Sequence, residues 1–166
     1  RPFVFAILNP RSLTARTFGN PAILGEVNGY NERHMLEIEL PAANGVGQVR
    51  SIARAYSEFA TGGETLGLSE KTLAELKSPA KPPSEGLKDQ VLQVETAFSL
   101  GYLKPFPGFR FGTDEQSFGT PGAGGSFAFA DPVAEIGFAY AMNRSGFYLW
   151  NDPREEALRE AVYRAL

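Results

Sequence analysis

An α+β fold, an antiparallel sheet flanked by helices, is predicted by three features of the chain. Apolar residues at helical spacing run from 49 to 60 and end in a glycine pair. Two apolar runs at 126–130 and 136–142 are separated by a connection of hairpin length, and a capped helix closes the sequence.

The first segment, Phe3-Val4-Phe5-Ala6-Ile7-Leu8, stops at Asn9-Pro10. It is far shorter than the ~20 apolar residues that cross a bilayer, so it reads as a buried strand or helix end rather than a membrane span. It has no cap or turn signal before it, and the sequence starts at Arg1 rather than Met. A missing N-terminal part, a trimmed boundary or a processed product would each look like this. Residues 9–45 are rich in Asn, Pro, Gly and Arg with only short apolar pairs such as Ile23-Leu24, which predicts extended or loop structure.

The helix that follows carries Val49, Ile52, Ala53, Tyr56, Phe59 and Ala60 on one face, with Gly62-Gly63 where a left-handed cap is wanted. Ser69 offers an N-cap to a shorter helix bearing Leu73 and Leu76, which must stop before Pro79. The segment Ser78-Pro79-Ala80-Lys81-Pro82-Pro83-Ser84 is a surface loop. Between 91 and 100, Leu92, Val94, Thr96, Phe98 and Leu100 alternate with polar neighbours, the period of a half-buried strand. With the pair joined by Asp131-Pro132-Val133-Ala134-Glu135, that predicts a thin sheet of three strands. Asp152-Pro153-Arg154-Glu155 combines an N-cap aspartate, a first-turn proline and a glutamate before Ala157, Leu158, Ala161, Val162 and Ala165. The final helix should lay that apolar face on the sheet.

Composition narrows the function. A chain of 166 residues with 43% hydrophobic residues is of single-domain size and can bury one core, so residues 1–166 are read as one domain. With 16 Lys and Arg against 19 Asp and Glu, no basic surface is available, which argues against a nucleic-acid partner. No cysteine is present and only one histidine, His34, which excludes disulfides, thiolate metal sites and multi-histidine centres. His34 reads as a solvated loop residue, and Asp114-Glu115 as a solvated turn, since neighbours on an extended chain point apart. Phe106, Phe109, Phe111 and Phe118 read as core packing, and Asn44 before Gly45 as a turn ahead of the helix.

The densest signal is Phe118-Gly119-Thr120-Pro121-Gly122-Ala123-Gly124-Gly125-Ser126, a glycine cluster set against an apolar strand. Missing side chains let a backbone come close to something, either a substrate at a strand edge or a neighbouring element at a tight turn. This cluster, with Phe127-Ala128-Phe129-Ala130-Asp131-Pro132 and Gly137-Phe138-Ala139-Tyr140-Ala141-Met142-Asn143 after it, resembles the C-terminal part of the β-lactamase-related serine hydrolases, including the family VIII carboxylesterases. Pro41-Ala42-Ala43-Asn44-Gly45-Val46-Gly47 leading into a helix that ends in Gly62-Gly63 is similar to the same family further upstream.

The resemblance implies a penicillin-binding-protein-like fold, here a partial domain whose N-terminal half is missing. It also implies acyl transfer from a small-molecule ester or amide to serine, without metal or cofactor. The family's triplet, Lys-Thr-Gly or His-x-Gly, falls on Thr120, Pro121 and Gly122. Ala123 N–H then stands where an oxyanion donor is needed, with Thr120 and Gly122 lining the substrate. Threonine carries no charge, so the pull on a substrate carboxylate that lysine or histidine gives is lost here. Ser78-Pro79-Ala80-Lys81 matches the family's Ser-x-x-Lys in letters only, because its prolines forbid the helix on which lysine would reach serine. Tyr140 is followed two positions on by Met142, not the Asn of a second motif. Two further readings stay open: a binding or scaffold protein that kept this fold without its chemistry, and a complete small domain of unrelated function.

Overall fold

The computed structural model describes residues 2–20, 22, 29–41, 43 and 45–166. The Ile23-Leu24 pair and Asn44 lie outside the described residues. Two units are distinguished, Arg1–Gly47 with Glu85–Thr96, and Gln48–Ser84 with Ala97–Leu166.

In the first unit, the run expected to be a buried strand or helix end is helix α1 (Pro2–Leu8), and α2 (Leu13–Phe18) stands in the predicted loop. Ser12 caps α2 by accepting from Ala15 N, and Phe3 meets Phe18 edge-on with 5.7 Å between ring centres. No side chain of α1 is buried, and Phe5 and Leu8 are 73% and 74% exposed. A 3-10 turn (Gly29–Asn31) and helix α3 (Arg33–Leu36) follow, so the loop predicted over 9–45 contains short helices. The strand predicted over 91–100 is shortened to Phe98–Ser99, and residues 91–96 are not part of it. Asp89 Oδ1 accepts from Val91 N and Leu92 N at 2.7 and 2.8 Å, and Gln93 takes a left-handed φ of 59°, which closes the backbone into a turn. Thr14, 1% exposed, donates to Val91 O at 2.7 Å and pins that turn.

The second unit matches the predicted class. Helix α4 (Val49–Thr61) ends at Gly62, φ 121°, and α5 (Glu70–Lys77) starts at Ser69, whose Oγ accepts from Thr72 N. The sheet has five antiparallel strands rather than three: β1 (Phe98–Ser99), β2 (Tyr102–Leu103), β3 (Phe118–Pro121), β4 (Phe127–Asp131) and β5 (Ile136–Tyr140), in that spatial order. β1 is what remains of the strand predicted over 91–100, β2 is equally short, and the glycine and proline of β3 hide it from a pattern search. All five residues of β4 are buried. Phe127 and Phe129 join Leu103, Phe109, Phe111 and Phe138 on one face; Ala128 and Ala130 join Tyr56, Leu73, Leu76 and Phe118 on the other. Helix α4 presses so closely on β5 that a Cβ on Gly137 would stand 2.0 Å from Ser57 N.

Helix α6 (Pro153–Arg164) has the predicted Asp152 cap and first-turn proline, but not the predicted inner face. Val162 and Tyr163 pack against the phenylalanine cluster, whereas Leu158 is 47% exposed and Ala157, Ala161 and Ala165 also face water. What faces inward one and two turns earlier is an ion pair, Glu155 with Arg159 at 2.7 Å, 2% and 8% exposed. Burial pushes the Glu155 carboxyl up, against the pull of Arg159, and Arg159 also donates to Arg110 O. The helix is held by polar contacts that an apolar pattern cannot reveal.

Asp131 closes the hairpin to β5 and is fully buried. Its Oδ2 accepts from Thr113 N, Thr113 Oγ1 and Tyr163 Oη at 2.7, 2.7 and 2.6 Å, and its Oδ1 from Val133 N and Ala134 N at 3.0 and 3.2 Å. Burial alone would raise this carboxyl; the hydrogen bonds outweigh it and hold the group below the usual range.

Lys104, 2% exposed, donates to Leu76 O, Lys77 O and Gln116 O at 2.9, 3.4 and 3.1 Å and lies 5.3 Å from the Phe118 ring centre. It joins the last carbonyls of α5 to the approach to β3, a favourable place for a cation. Burial nonetheless lowers its pKa to about 8 from an ordinary 10.5. The unfolded chain therefore binds more protons between those two values, and Lys104 makes stability rise with pH across that window. Urea unfolding measured from about pH 8 to 9.5 should show this rise, and Lys104→Met should flatten it while lowering stability throughout. An unchanged slope in the variant would assign the rise to another group.

Candidate active site

The residues singled out in the sequence come together at the end of β3 and the turn after it. Thr120 is exposed and lies opposite Ala128, on the α4 side of the sheet. Below it the rings of Tyr56, Phe59, Tyr102 and Phe118 pack against one another, with centre separations from 5.3 to 6.2 Å. The Tyr56 phenol is pushed up to about 12 by burial, against a hydrogen bond with Thr120. Next to Thr120 there is thus a neutral hydroxyl at ordinary pH rather than a base. Sequence reading placed Tyr56 only on a packing face; its closeness to Thr120 depends on how α4 crosses the sheet.

Gly122 N–H donates to Ser126 O at 2.8 Å, which closes a three-residue turn of Ala123, Gly124 and Gly125. This bond sets the alternation along β3. Phe118, Thr120 and Gly122 direct their backbone groups at β4, while Gly119, opposite Leu103 of β2, and Pro121 face the other way. Pairing to β2 ends at Gly119, so the missing N–H of Pro121 leaves no acceptor unfilled. Ala123 is exposed, and its N–H donates to no acceptor among the described residues.

The neighbouring glycines have a packing cause. Gly124 (φ 96°) exchanges hydrogen bonds with the segment leading to α6: its N–H donates to Tyr148 O at 3.1 Å, and its O accepts from Gly146 N at 2.8 Å. A Cβ on Gly124 would lie 2.8 Å from Met142 Cε, and one on Gly125 (φ 108°) 2.1 Å from Asp152 Oδ2. Asp152 is itself 1% exposed and gripped by Arg154, Nε to Oδ1 at 2.9 Å and Nη2 to Oδ2 at 2.6 Å, while Arg154 Nη1 reaches Arg144 O at 2.7 Å. The arginine holds the Asp152 carboxyl below its ordinary value. The cap of α6 and its arginine thus clamp the turn that carries Ala123. Neither residue was read from the sequence as more than a helix start, although an aspartate two residues before an arginine beside a proline was the visible signal.

The other sequence candidates lie elsewhere. Ser78 is the C-cap of α5, with Oγ donating to Ala74 O at 2.9 Å, so it sits at the end of a helix and not at the start. His34 is exposed in α3 rather than in a loop. Asp114 is in an exposed turn where it accepts from Gln116 N, as expected for a solvated pair with Glu115. Phe106, Phe109, Phe111 and Phe118 are buried core, and Tyr140 lies inside β5. Chemically, the assembled group offers one unengaged N–H and neutral hydroxyls, with no fixed positive charge on Thr120.

Gly125→Ala tests the clamp. The added methyl meets Asp152 at a left-handed backbone position, so equilibrium unfolding should show a loss of about 2 kcal/mol or more, whereas Ala123→Gly should cost less than about 1. Equal effects of the two substitutions would mean that the turn is not held at Gly125.

No protein-family model matches the chain. Over 124 residues it is 35% identical to the esterase/β-lactamase LipL of Mycobacterium tuberculosis, a match covering 75% of this chain and 28% of that protein. A family VIII carboxylesterase of known structure is 34% identical with a TM-score of 0.74, over 93% of this chain and 42% of its own. A penicillin-binding-protein homologue from Caulobacter crescentus is 30% identical with a TM-score of 0.68, over 85% of this chain and 36% of its own. The chain spans less than half the length of each of these relatives. By sequence and by fold, the chain is a relative of the β-lactamase-related serine hydrolases and family VIII carboxylesterases over the part of those proteins that it matches.

Proposed function

We propose that this chain supplies the oxyanion side of a serine-hydrolase site, as one part of a single β-lactamase-related domain whose nucleophile comes from the rest of a longer polypeptide. The observation that carries the reading is Ala123: an exposed N–H with no internal acceptor, on a turn fixed by the Gly122–Ser126 bond and the Asp152–Arg154 clamp. Rigid donors aimed at a developing alkoxide stabilise it without reorganising, and removal of one such donor costs on the order of 100-fold in rate in enzymes of this kind of chemistry. The step would be attack of a serine Oγ on an ester or amide carbonyl, with the electron pair of the C=O moving to the oxygen held at Ala123. Collapse of that intermediate expels the alcohol or amine, and water then releases the acid from the acyl-serine. Thr120 and Gly122 would line the acyl group.

A specific observation favours a second reading. Thr120 and Pro121 stand in place of the charged triplet, and the hydroxyl beside them, Tyr56, stays protonated to about pH 12. A binding or scaffold protein needs the fold and the turn but not the charge.

Covalent labelling with a fluorophosphonate decides between the two. If the full polypeptide that carries this chain is an active serine hydrolase, it is labelled in its folded state, and labelling stops on heat unfolding. Folded protein that takes no label from fluorophosphonate or from a penicillin-type probe supports the scaffold reading and overturns the enzymatic one.

A further inference from the structure

Between α6 and the segment that leads to β3 lies an open cavity of about 340 Å³, lined by Arg110, Phe111 and Gly112 on one side and by Arg159, Glu160, Tyr163 and Arg164 of the helix on the other. Small-molecule sites run from roughly 300 to 1,000 Å³, so the space is sufficient for a small ligand. Its floor is apolar. Phe111 is 3% exposed inside the phenylalanine cluster, and Tyr163 packs against the same cluster. The Tyr163 hydroxyl is spent inward on Asp131 Oδ2 at 2.6 Å, so what the residue offers the cavity is its ring. Gly112 leaves the wall between them bare, because a Cβ there would strike Ser117 Oγ.

Three arginines line this cavity, and their charges are not equally engaged. Arg164 pairs with Glu160 at 3.5 Å, both of them well exposed. Arg159, 7% exposed, pairs with the buried Glu155. Its Nε and Nη2 donate to that carboxylate and its Nη1 to Arg110 O, which uses three of the five N–H groups of a guanidinium. One N–H on each terminal nitrogen is left, and no acceptor among the described residues takes either. Arg110 is exposed and has no carboxylate partner among the described residues. The acids around the cavity are already answered: Glu155 by Arg159, Glu160 by Arg164, and Asp131, behind Tyr163, by five hydrogen-bond donors. One positive charge is therefore to spare, at Arg110, beside an apolar floor.

We propose that this cavity binds a small monocarboxylate with an apolar body, its carboxylate at Arg110 and the spare N–H groups of Arg159, its body on Phe111 and the Tyr163 ring. The planar fork of arginine matches the two oxygens of a carboxylate, and a buried guanidinium held by Glu155 keeps its donors in place. A single spare charge favours a monoanion over a phosphate dianion, and the floor favours a ligand whose remaining atoms are carbon. Tyr163 and Asp131 set the cavity at the end of β4 away from the Ala123 turn. The inference does not rest on serine chemistry, and a protein that takes no fluorophosphonate label can still show it.

Titration of the full polypeptide that carries this chain with octanoate, followed by calorimetry and by backbone amide shifts, tests the site. Octanoate should bind, with the amides of Phe111, Gly112 and Tyr163 shifting and that of Ala123 unmoved. Arg110→Gln should weaken binding about 10-fold, and octanol, which lacks the charge, should bind about 10-fold more weakly than octanoate. Arg110 is exposed, so the variant keeps its fold. Inorganic phosphate should not compete. Folded protein that binds no octanoate overturns the proposal, and so does binding that Arg110→Gln leaves unchanged or that shifts only the turn at Ala123. Phosphate that displaces octanoate at equal concentration also overturns it, since the apolar body then contributes nothing.

Discussion

The five hydrogen bonds that converge on the buried carboxylate of Asp131 join parts of the second unit that share no strand pairing. One oxygen shapes the turn into β5; the other holds Thr113, upstream of β3, and Tyr163, near the end of α6. A carboxylate out of water is costly unless its lone pairs are filled, and here they are. With β4 anchored at that end, its other end is free to be defined by the turn at Ala123. The same strand separates the two apolar layers, phenylalanines on one face and alanines on the other, and the alanines are what let α4 approach closely.

At the far end of β3 and β4 the device is similar and the purpose different. Asp152 and Arg154 do not fill a core; they fix a turn against the segment that leads into α6. The glycines at 124 and 125 exist because a methyl would strike Met142 or Asp152, so the close approach suggested by the sequence is one of backbone to neighbouring side chains. That leaves Ala123 as the residue of the turn with a donor to spare. The charge that the resemblance leads one to expect at the start of the triplet is absent from Thr120, and among the described residues no neighbouring group restores it. Tyr56 is buried and neutral, and Lys104 is turned to the carbonyls of α5 and Gln116.

Helices α4 and α5 and the β4–β5 hairpin were legible because their apolar periodicity and caps agree with their tertiary surroundings. The failures have separate causes. Residues 91–96 alternate like a strand, but the Asp89 side chain offers the backbone a local turn that wins. Helix α6 was placed correctly and oriented wrongly, since Glu155 and Arg159 bury as a pair that apolar counting discounts. Strands β1 and β2 are two residues each and leave too short a pattern to read. Thr120, Gly122 and Ala123 were singled out by motif, and they lie at the end of β3 and in the turn that follows it. Tyr56 and the Asp152–Arg154 clamp were missed because their roles depend on contacts distant in sequence.

In the proposed function, Ala123 N–H receives the charge of an acyl-transfer intermediate. A crystal structure of the full polypeptide bearing a phosphonylated serine measures this directly. The phosphonyl oxygen should lie within about 2.7–3.1 Å of Ala123 N, with the turn unmoved. An adduct whose oxygen is held by other donors, with Ala123 N–H turned away from it, would remove Ala123 from the oxyanion site.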